Sequence, residues 1–404
     1  MALDVSGVEV GVAAIALILL VGQLPAIALL FSRLLQGPGR LAPLQPQPPH
    51  PDLVGAVSVV VPTLNEAERI SPCLAGLTRQ SYEVREVIVV DSRSEDNTVD
   101  LVKAAQQRDP RFRVITDDPL PAGWVGRPWA LHTGFLNSSE GSEWVLGVDA
   151  DTQPQPGLVA SLVQAAQRYG YDLVSLSPQF ILKDLGEWWL QPALLMTLIY
   201  RFGPAGGNAS GSMRVMANGQ CFLSRRALLQ AMNGYTVARR SFCDDVTLAR
   251  AAADRGARVG FLDGAKLLKV RMYEGAAETW REWGRSLDLK DAASPAQTWG
   301  DGLFLAAIQG LPMIACLGLG TALLLDISAP TIWLAWGLNL FLLLVRFALL
   351  VAIAPSYDFS QASFGKSWTF WLSPLADPLA VLRILLSAAR TPTKWRSRSY
   401  ESFS

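Results

Sequence analysis

Val57–Glu68 reads VSVVVPTLNEAE, and the fold can be read outward from it. Val57–Val61 is a short β-branched run that Pro62 closes. Apolar residues at successive positions, without alternation, point to a strand buried on both faces, as in a parallel sheet. Asn65 and Glu68 then fit an N-cap and its capping-box acid, for a helix running to about Arg79. The pattern repeats downstream. Glu86–Val90 is a second buried strand, ending at Asp91, and Ser92–Thr98 is a polar turn into a helix through Gln107. Phe112–Ile115 and Trp144–Val148 are the third and fourth strands, the fourth ending at Asp149. Strand alternates with helix, so the chain is of the α/β class with a doubly wound, mostly parallel sheet.

The hydrophobic half of the 404 residues is unevenly spread. Gly11–Phe31 is an almost unbroken apolar run, and at ~1.5 Å per residue about 20 residues cross the ~30 Å hydrocarbon layer. Asp4 and Glu9 precede it and no basic residue does, which favours an anchor over a cleaved signal. Arg33 and Arg40 follow, so the positive-inside rule places the N-terminus outside and the middle of the chain in the cytoplasm. Leu303–Leu325 and Ile332–Ala354 read as two further spans. Arg346, inside the second, is expected to face protein or to snorkel. Trp368–Ala388 holds Pro374, Asp377, Pro378 and Arg383. Spanning would export Arg390, Lys394, Arg396 and Arg398, so it reads as re-entrant or interfacial. The expected plan is an anchor at 1–35, a Pro- and Gly-rich linker at 36–52, a cytoplasmic domain at 53–300, a membrane region at 301–390 and a basic tail at 391–404. This describes an integral protein of a bacterial-type inner (plasma) membrane.

Several function classes drop out. Formal net charge is zero, and no basic run with interleaved aromatics suggests nucleic acid. Cys73, Cys221, Cys243 and Cys316 lack CxxC spacing, so neither a disulfide framework nor a zinc site is indicated. The glycine fingerprints of dinucleotide-binding and P-loop proteins are missing from the first half of the domain.

The carboxylates carry the chemistry. Asp91 and Asp149 each follow a buried strand, where ligands of open α/β sheets bind, although Asp also serves in such turns structurally. Asp149-Ala150-Asp151 offers two carboxylates to one hard cation, Mg2+ or Mn2+, which bridges phosphates. Asp244-Asp245 opens another helix, where acids favour the dipole or present a general base. Histidine is an unpromising base, since the chain has just His50, in the linker, and His132.

VSVVVPTLNEAERI, EVIVVDSRSEDNT, WVLGVDADTQPQPG, GQCFLSRRALLQAMNGY and CDDVTLARAAADRG together resemble, in order and spacing, the family 2 glycosyltransferases, with their GT-A fold. The resemblance covers about 56–293 and implies donor contacts at Thr63, Glu66, Asp91 and Asp149. It implies metal binding at Asp149 and Asp151, and a catalytic base in the pair Asp244/Asp245, with Asp245 in the Asp position of the family's usual Glu-Asp. GWVGRPWALHTG (123–134) is similar to the family's glycine-lysine segment with Arg127 in place of Lys, and an arginine can hold phosphate or a ribose-side carboxylate through two parallel bonds. The Gln-x-x-Arg-Trp motif of processive polymer synthases is missing. Trp280, Trp283 and Arg285 stand at its place and are expected on the acceptor side.

For the acceptor, 185–202 is an apolar stretch with Trp188 and Trp189, expected to lie on the membrane surface with interfacial tryptophans. A glycine-rich stretch, 203–219, is expected to move as a lid. PAGWVGRPWALHTG, the Trp280 region and the C-terminal WRSRSY resemble bacterial carotenoid 2'-O-glycosyltransferases and hopene-associated glycosyltransferases. The expectation is an inverting transfer from a UDP- or GDP-sugar to a lipid acceptor, a carotenoid or similar isoprenoid alcohol. Polyprenyl phosphate and ceramide- or diacylglycerol-type acceptors remain open, as does a non-catalytic nucleotide-sugar-binding scaffold.

Overall fold

The computed structural model describes every residue except 1–4, 36, 208–210, 287–288, 290–291, 362–364, 390–393, 396–397 and 400–404. In chain order its elements are α1 (Val5–Leu34), β1 (Val57–Thr63), α2 (Ile70–Thr78), β2 (Val84–Asp91), α3 (Thr98–Arg108), β3 (Phe112–Thr116), α4 (Gly126–Leu136), β4 (Trp144–Val148), β5 (Thr152–Pro154) and α5 (Leu158–Tyr169). There follow β6 (Leu173–Ser177), β7 (Gln179–Phe180), α6 (Leu185–Phe202), β8 (Cys221–Arg225), α7 (Arg226–Ala231), α8 (Asp244–Asp254), β9 (Val259–Asp263), β10 (Leu268–Val270) and α9 (Gly275–Ser286). The apolar C-terminal part holds α10 (Pro295–Leu305), α11 (Leu311–Leu324), α12 (Pro330–Ile353) and α13 (Asp377–Ala389).

The main sheet has seven strands in the order β3-β2-β1-β4-β8-β6-β9. Its neighbours are parallel except at β8, which runs antiparallel to both β4 and β6. The expected α/β class and mostly parallel sheet are therefore present. β1 and β2 are buried along nearly their whole length because helices cover both faces, which is why their apolar residues do not alternate. Gly134 permits the tight seat of α4 on this sheet, since a Cβ there would stand 2.2 Å from a Val60 methyl.

Three local expectations need correction. Helix α2 starts at Ile70, not after Asn65, and its N-cap residue Arg69 makes no side-chain cap. Asn65 has a left-handed φ of 54°, tolerable for Asn. Its N–H donates to Ser94 Oγ (2.9 Å) and its Oδ1 accepts the Glu95 N–H (2.8 Å). A long-range stitch between the loops after β1 and β2 has taken the side chain that the local pattern offers to a cap. Next, the linker segment is a strap. The Leu41 N–H donates to the Gly206 carbonyl (2.8 Å) and the Leu44 N–H to the Asp263 carbonyl (2.9 Å), and both side chains pack on the core. Last, Trp188 is no interfacial anchor. It is fully buried among Tyr357, Phe359 and Phe370.

Among the described residues, four helical stretches are long and apolar enough to cross a membrane: Gly7–Gly39, Pro295–Leu324, Pro330–Ser356 and Ser367–Ala389. The last, read from its charges as re-entrant, thus qualifies by length and composition. Its Asp377 is buried against Arg346 of α12, with Nε–Oδ2 at 2.8 Å and Nη2–Oδ1 at 3.1 Å. Gln309 donates to the same carboxylate (2.9 Å). Arg346 therefore faces protein, as expected, and does not snorkel. The basic tail at 391–404 lies outside the described residues apart from a short ladder of 394–395 with 398–399.

The pair yields a direct test. Removing one partner leaves an uncompensated buried charge, at a cost of about 3–5 kcal/mol, whereas replacing both with apolar residues is far milder. Arg346→Met is expected to lower the melting temperature of the detergent-solubilised protein markedly, and Arg346→Met/Asp377→Leu to recover most of the loss. A double variant no more stable than the single one would count against the ion pair as the link between these helices.

Candidate active site

The site is assembled at the carboxyl end of β4, and strand direction explains how. Because β8 runs antiparallel to β4, pairing Val148 with Cys221, the chain entering β8 lies beside the chain leaving β4. Gly219 and Gln220 are thereby set against Asp149, whose N–H donates to the Gln220 carbonyl (3.2 Å). Thr152 Oγ1 donates to the Asp149 carbonyl (2.8 Å) and fixes the turn that holds Asp151. Helix α8 brings Asp244 and Asp245 in its first turn, where the helix dipole favours acids.

Arg127, in the first turn of α4, ties these pieces together. Its Nε and Nη2 donate to Asp149 Oδ1 (3.0 and 2.9 Å), its Nη1 donates to Asp244, and Nη2 also reaches the Gly219 carbonyl (2.7 Å). Of the five N–H donors of a guanidinium, four are thus engaged. Of the two partners open to this fork, phosphate or carboxylate, it holds carboxylates here. Burial disfavours the charge, but Asp149, Asp244 and Asp245 outweigh it and raise Arg127 well above its ordinary value. Gly219 must lack a side chain, because a Cβ there would lie 2.5 Å from Arg127 Nη2.

Asp245 is held differently. Its Oδ2 accepts the Gly219 N–H (2.6 Å) and its Oδ1 the Val246 N–H (2.8 Å), with no cation bound directly. Burial, and then the neighbouring Asp244, push it up to about 6. A carboxylate so raised is ionised at neutral pH yet more basic than an ordinary one, as a general base needs. Burial also raises Asp244, against the pull of Arg127.

A cavity of about 960 Å³ opens over these residues. Nine carboxylates line it (Glu66, Glu68, Asp96, Asp149, Asp151, Asp244, Asp245, Glu278 and Glu282) against two arginines, Arg69 and Arg127. Arg69 is itself close to Glu274 and Glu278. The other wall is apolar and includes Phe180, Leu195, Leu198, Met272, Tyr273 and Trp283. Leu195 and Leu198 pack in the same cluster as Leu30 of α1 and Phe304, Leu305 and Ile308 of the C-terminal helices. The cavity wall is therefore continuous with the layer that packs against the apolar helices.

The expected residues divide. Glu66, Arg127, Asp149, Asp151, Asp244, Asp245 and Trp283 line the cavity, and Thr63 and Asp91 do not. Thr63 and Asp91 are buried, Thr63 Oγ1 donating to the Val90 carbonyl (3.2 Å) and Asp91 accepting the Ser94 N–H (3.0 Å). Trp280 is also off the wall, and its carbonyl accepts from Arg383 Nε (2.7 Å). The side chain of Arg285 lies outside the described residues, as do residues 208–210 of the expected lid. His132 packs against Trp124 and Trp129 away from the cavity, and burial lowers it, so it offers no base. Sequence reasoning gave no role to Asp96, whose Oδ2 accepts the Ala67 N–H (3.0 Å) across the two loops, and none to Gly219 beyond the end of the expected lid. For Gly219 the signal was a glycine just ahead of a buried strand.

Comparison with known proteins agrees with this geometry. Residues 58–232 match the model of glycosyl transferase family 2. A Staphylococcus haemolyticus protein named 4,4'-diaponeurosporenoate glycosyltransferase is 24% identical over 240 residues, 57% of this chain and 61% of its own. The undecaprenyl-phosphate 4-deoxy-4-formamido-L-arabinose transferase of Serratia proteamaculans is 30% identical over 179 residues, 44% of this chain and 51% of its own. The chain thus spans about half the length of the curated relatives it matches. A mannosyltransferase of Pyrobaculum calidifontis, solved with GDP-Man and Mn2+, superposes with a TM-score of 0.55 at 20% identity, covering 94% of this chain and 99% of that one. That likeness is one of fold, and it extends over the apolar helices as well as the sheet. The sheet order, the acidic cavity and the matched segment agree: the fold is of the GT-A type, and residues 58–232 are similar to the glycosyl transferase family 2 domain.

Proposed function

We propose that this protein is an inverting glycosyltransferase of the inner membrane. It moves a sugar from a UDP- or GDP-linked donor to the hydroxyl of a membrane-dissolved lipid, a carotenoid or similar isoprenoid alcohol, on the cytoplasmic side. One observation carries the reading: a single cavity has a carboxylate floor and an apolar wall continuous with the helices long and apolar enough to cross a membrane. A nucleotide sugar suits the first and a lipid the second.

The floor raises a question of charge. A diphosphate cannot enter among nine carboxylates and two already engaged arginines without a cation to accompany it. Asp149 and Asp151 supply hard oxygens, and Asp149 Oδ2 accepts no hydrogen bond from the described residues. No third His, Cys, Asp or Glu joins them in a metal-binding group among the described residues. Such a donor set fits Mg2+ or Mn2+, which fills its shell with waters and substrate phosphates. When bound there, the cation would offset the negative charge of the departing diphosphate.

The chain's own residues do the rest. Asp245 takes the proton from the acceptor hydroxyl, whose oxygen attacks the anomeric carbon. The bond from that carbon to the diphosphate oxygen breaks, and the diphosphate keeps the electron pair. A single displacement inverts the centre, so an α-linked donor yields a β-glycoside. Arg127 pairs with Asp149 and Asp244 and leaves Asp245 to backbone N–H groups, so that Asp245 stays basic. The relative named for diaponeurosporenoate supports the isoprenoid acceptor, and the one named for undecaprenyl phosphate supports the lipid-phosphate alternative.

Asp245→Asn keeps the shape of the base and removes its basicity. It is expected to lower kcat by about 10²–10⁴-fold while nucleotide affinity changes little. Undiminished turnover in this variant would refute the assignment. EDTA is expected to abolish both transfer and tight nucleoside-diphosphate binding by calorimetry, with Mn2+ or Mg2+ restoring both. Tight binding in EDTA would remove the metal from the scheme. Mass spectrometry of lipids from cells with and without the protein identifies the acceptor. A new sugar on a polyprenyl phosphate, with none on an alcohol, would decide for the alternative.

A further inference from the structure

Four arginines from four segments gather around the C-terminal end of α6, and none of them lines the catalytic cavity. Arg33, near the end of α1, donates from Nη1 to the Tyr200 carbonyl (2.7 Å), with its guanidinium 4.5 Å over the Phe304 ring. Arg201, in the last turns of α6, donates from Nε to the Thr197 carbonyl (3.1 Å). Arg214 donates to the Arg201 carbonyl (3.1 Å). Arg250, on α8 five residues beyond Asp245, donates from Nε to the Val215 carbonyl (3.2 Å), and its guanidinium lies 5.6 Å from the Phe202 ring. Arg201 and Arg250 are each 5% exposed.

Carbonyls at a helix C-terminus attract cations, which accounts for one or two arginines here but not four. Asp301, at the start of a candidate span, is the carboxylate that acts on all four. Neither it nor any other carboxylate of the described residues comes within ion-pair distance of them. The arginines also repel one another, Arg33 against Arg214 and Arg201 against both Arg33 and Arg250. Burial draws Arg201 down to about 10, which still leaves it charged at neutral pH. Arg33 Nε, Arg201 Nη2 and Arg250 Nη2 are buried N–H groups with no acceptor in reach. Donors left this way are costly, and planar guanidiniums suit the oxygens of phosphate.

We propose that this cluster binds a phosphate group at the membrane boundary, the headgroup of an anionic lipid, at a site distinct from the donor cavity. The level follows from the chain. Arg33 closes the stretch Gly7–Gly39 and Asp301 opens Pro295–Leu324, so the cluster sits where two apolar helices end. Phe202 and Phe304 supply apolar surface beside the guanidiniums. A phosphate here would accept from the three orphaned N–H groups and relieve the repulsion among the arginines.

The test uses the full chain in neutral detergent micelles, with native mass spectrometry and thermal melting as readouts. Dioleoyl phosphatidate is expected to bind about ten-fold more tightly than dioleoylglycerol and to raise the melting temperature, in keeping with charge-assisted pairing. Arg214→Gln, at the half-buried member, is expected to weaken phosphatidate binding about ten-fold with the lipid-free melting temperature unchanged. Arg250→Gln should weaken it further. Equal retention of phosphatidate and dioleoylglycerol, or phosphatidate affinity unaltered in both variants, would overturn the proposal. Millimolar inorganic phosphate is the second arm. Protection by phosphate alone that matches phosphatidate would overturn the lipid source, and protection by phosphatidate alone supports it.

Discussion

One guanidinium holds the candidate site in register. Arg127 reaches from the start of α4 to Asp149 at the end of β4 and to Asp244 at the start of α8, residues separated by 22 and 117 positions in sequence. Without it, Asp149, Asp244 and Asp245 would crowd one buried space as three negative charges, and like charges that close cannot all stay ionised. With it, two of the three are paired and the third is left with backbone N–H groups alone. The arrangement sorts chemically similar side chains into different settings: Asp149 and Asp244 paired with one arginine, and Asp245 raised to about 6 and open to the cavity. Environment, not residue type, assigns the roles.

That economy has a consequence for the donor. A guanidinium with three N–H groups on acids and a fourth on the Gly219 carbonyl has one N–H left, too few for a two-bond phosphate clamp in this arrangement. In the proposed function, neutralising the diphosphate would then fall to a cation brought by the substrate and met by Asp149 and Asp151. The bond from Arg127 Nη2 to the Gly219 carbonyl adds a steric condition, because the backbone approaches closely enough to exclude even a methyl group.

Much of this was legible in the sequence because it depends on local pattern. The non-alternating β-branched runs at Val57 and Glu86 mark strands covered on both faces, and they place Asp91 and Asp149 at strand ends without knowledge of the rest. What was not legible depends on distant partners. Asn65 has a good N-cap side chain but spends it on Glu95, thirty residues away. Trp188 has the spacing of a membrane-surface anchor, yet residues beyond 350 close over it. Thr63 and Asp91 stand where a donor contact is expected, but their side chains serve the turn beneath the cavity. The arginines at 33, 201, 214 and 250 form no run or motif and become a cluster through folding alone. Periodicity reports which face of an element is covered. It does not report by what.

The same distinction bears on why the catalytic domain is joined so closely to the membrane helices. Domains tethered by a flexible linker need share no core with the anchor. Here the segment after α1 is pinned to the domain by backbone bonds at Leu41 and Leu44, and α6, inside the domain sequence, packs with α9, α13 and the segment before it. One apolar cluster runs from Leu30 through Trp188, Leu194 and Tyr200 to Phe304 and Ile384. Anchor and domain therefore cannot tilt independently, and the depth of the cavity relative to the helices is set by covalent and packing geometry together. An enzyme with two water-soluble substrates gains nothing from such rigidity. Under the proposed function, with an acceptor confined to the bilayer, it would fix where the hydroxyl meets Asp245. A fixed reacting distance of that kind is what lets binding energy be used for positioning.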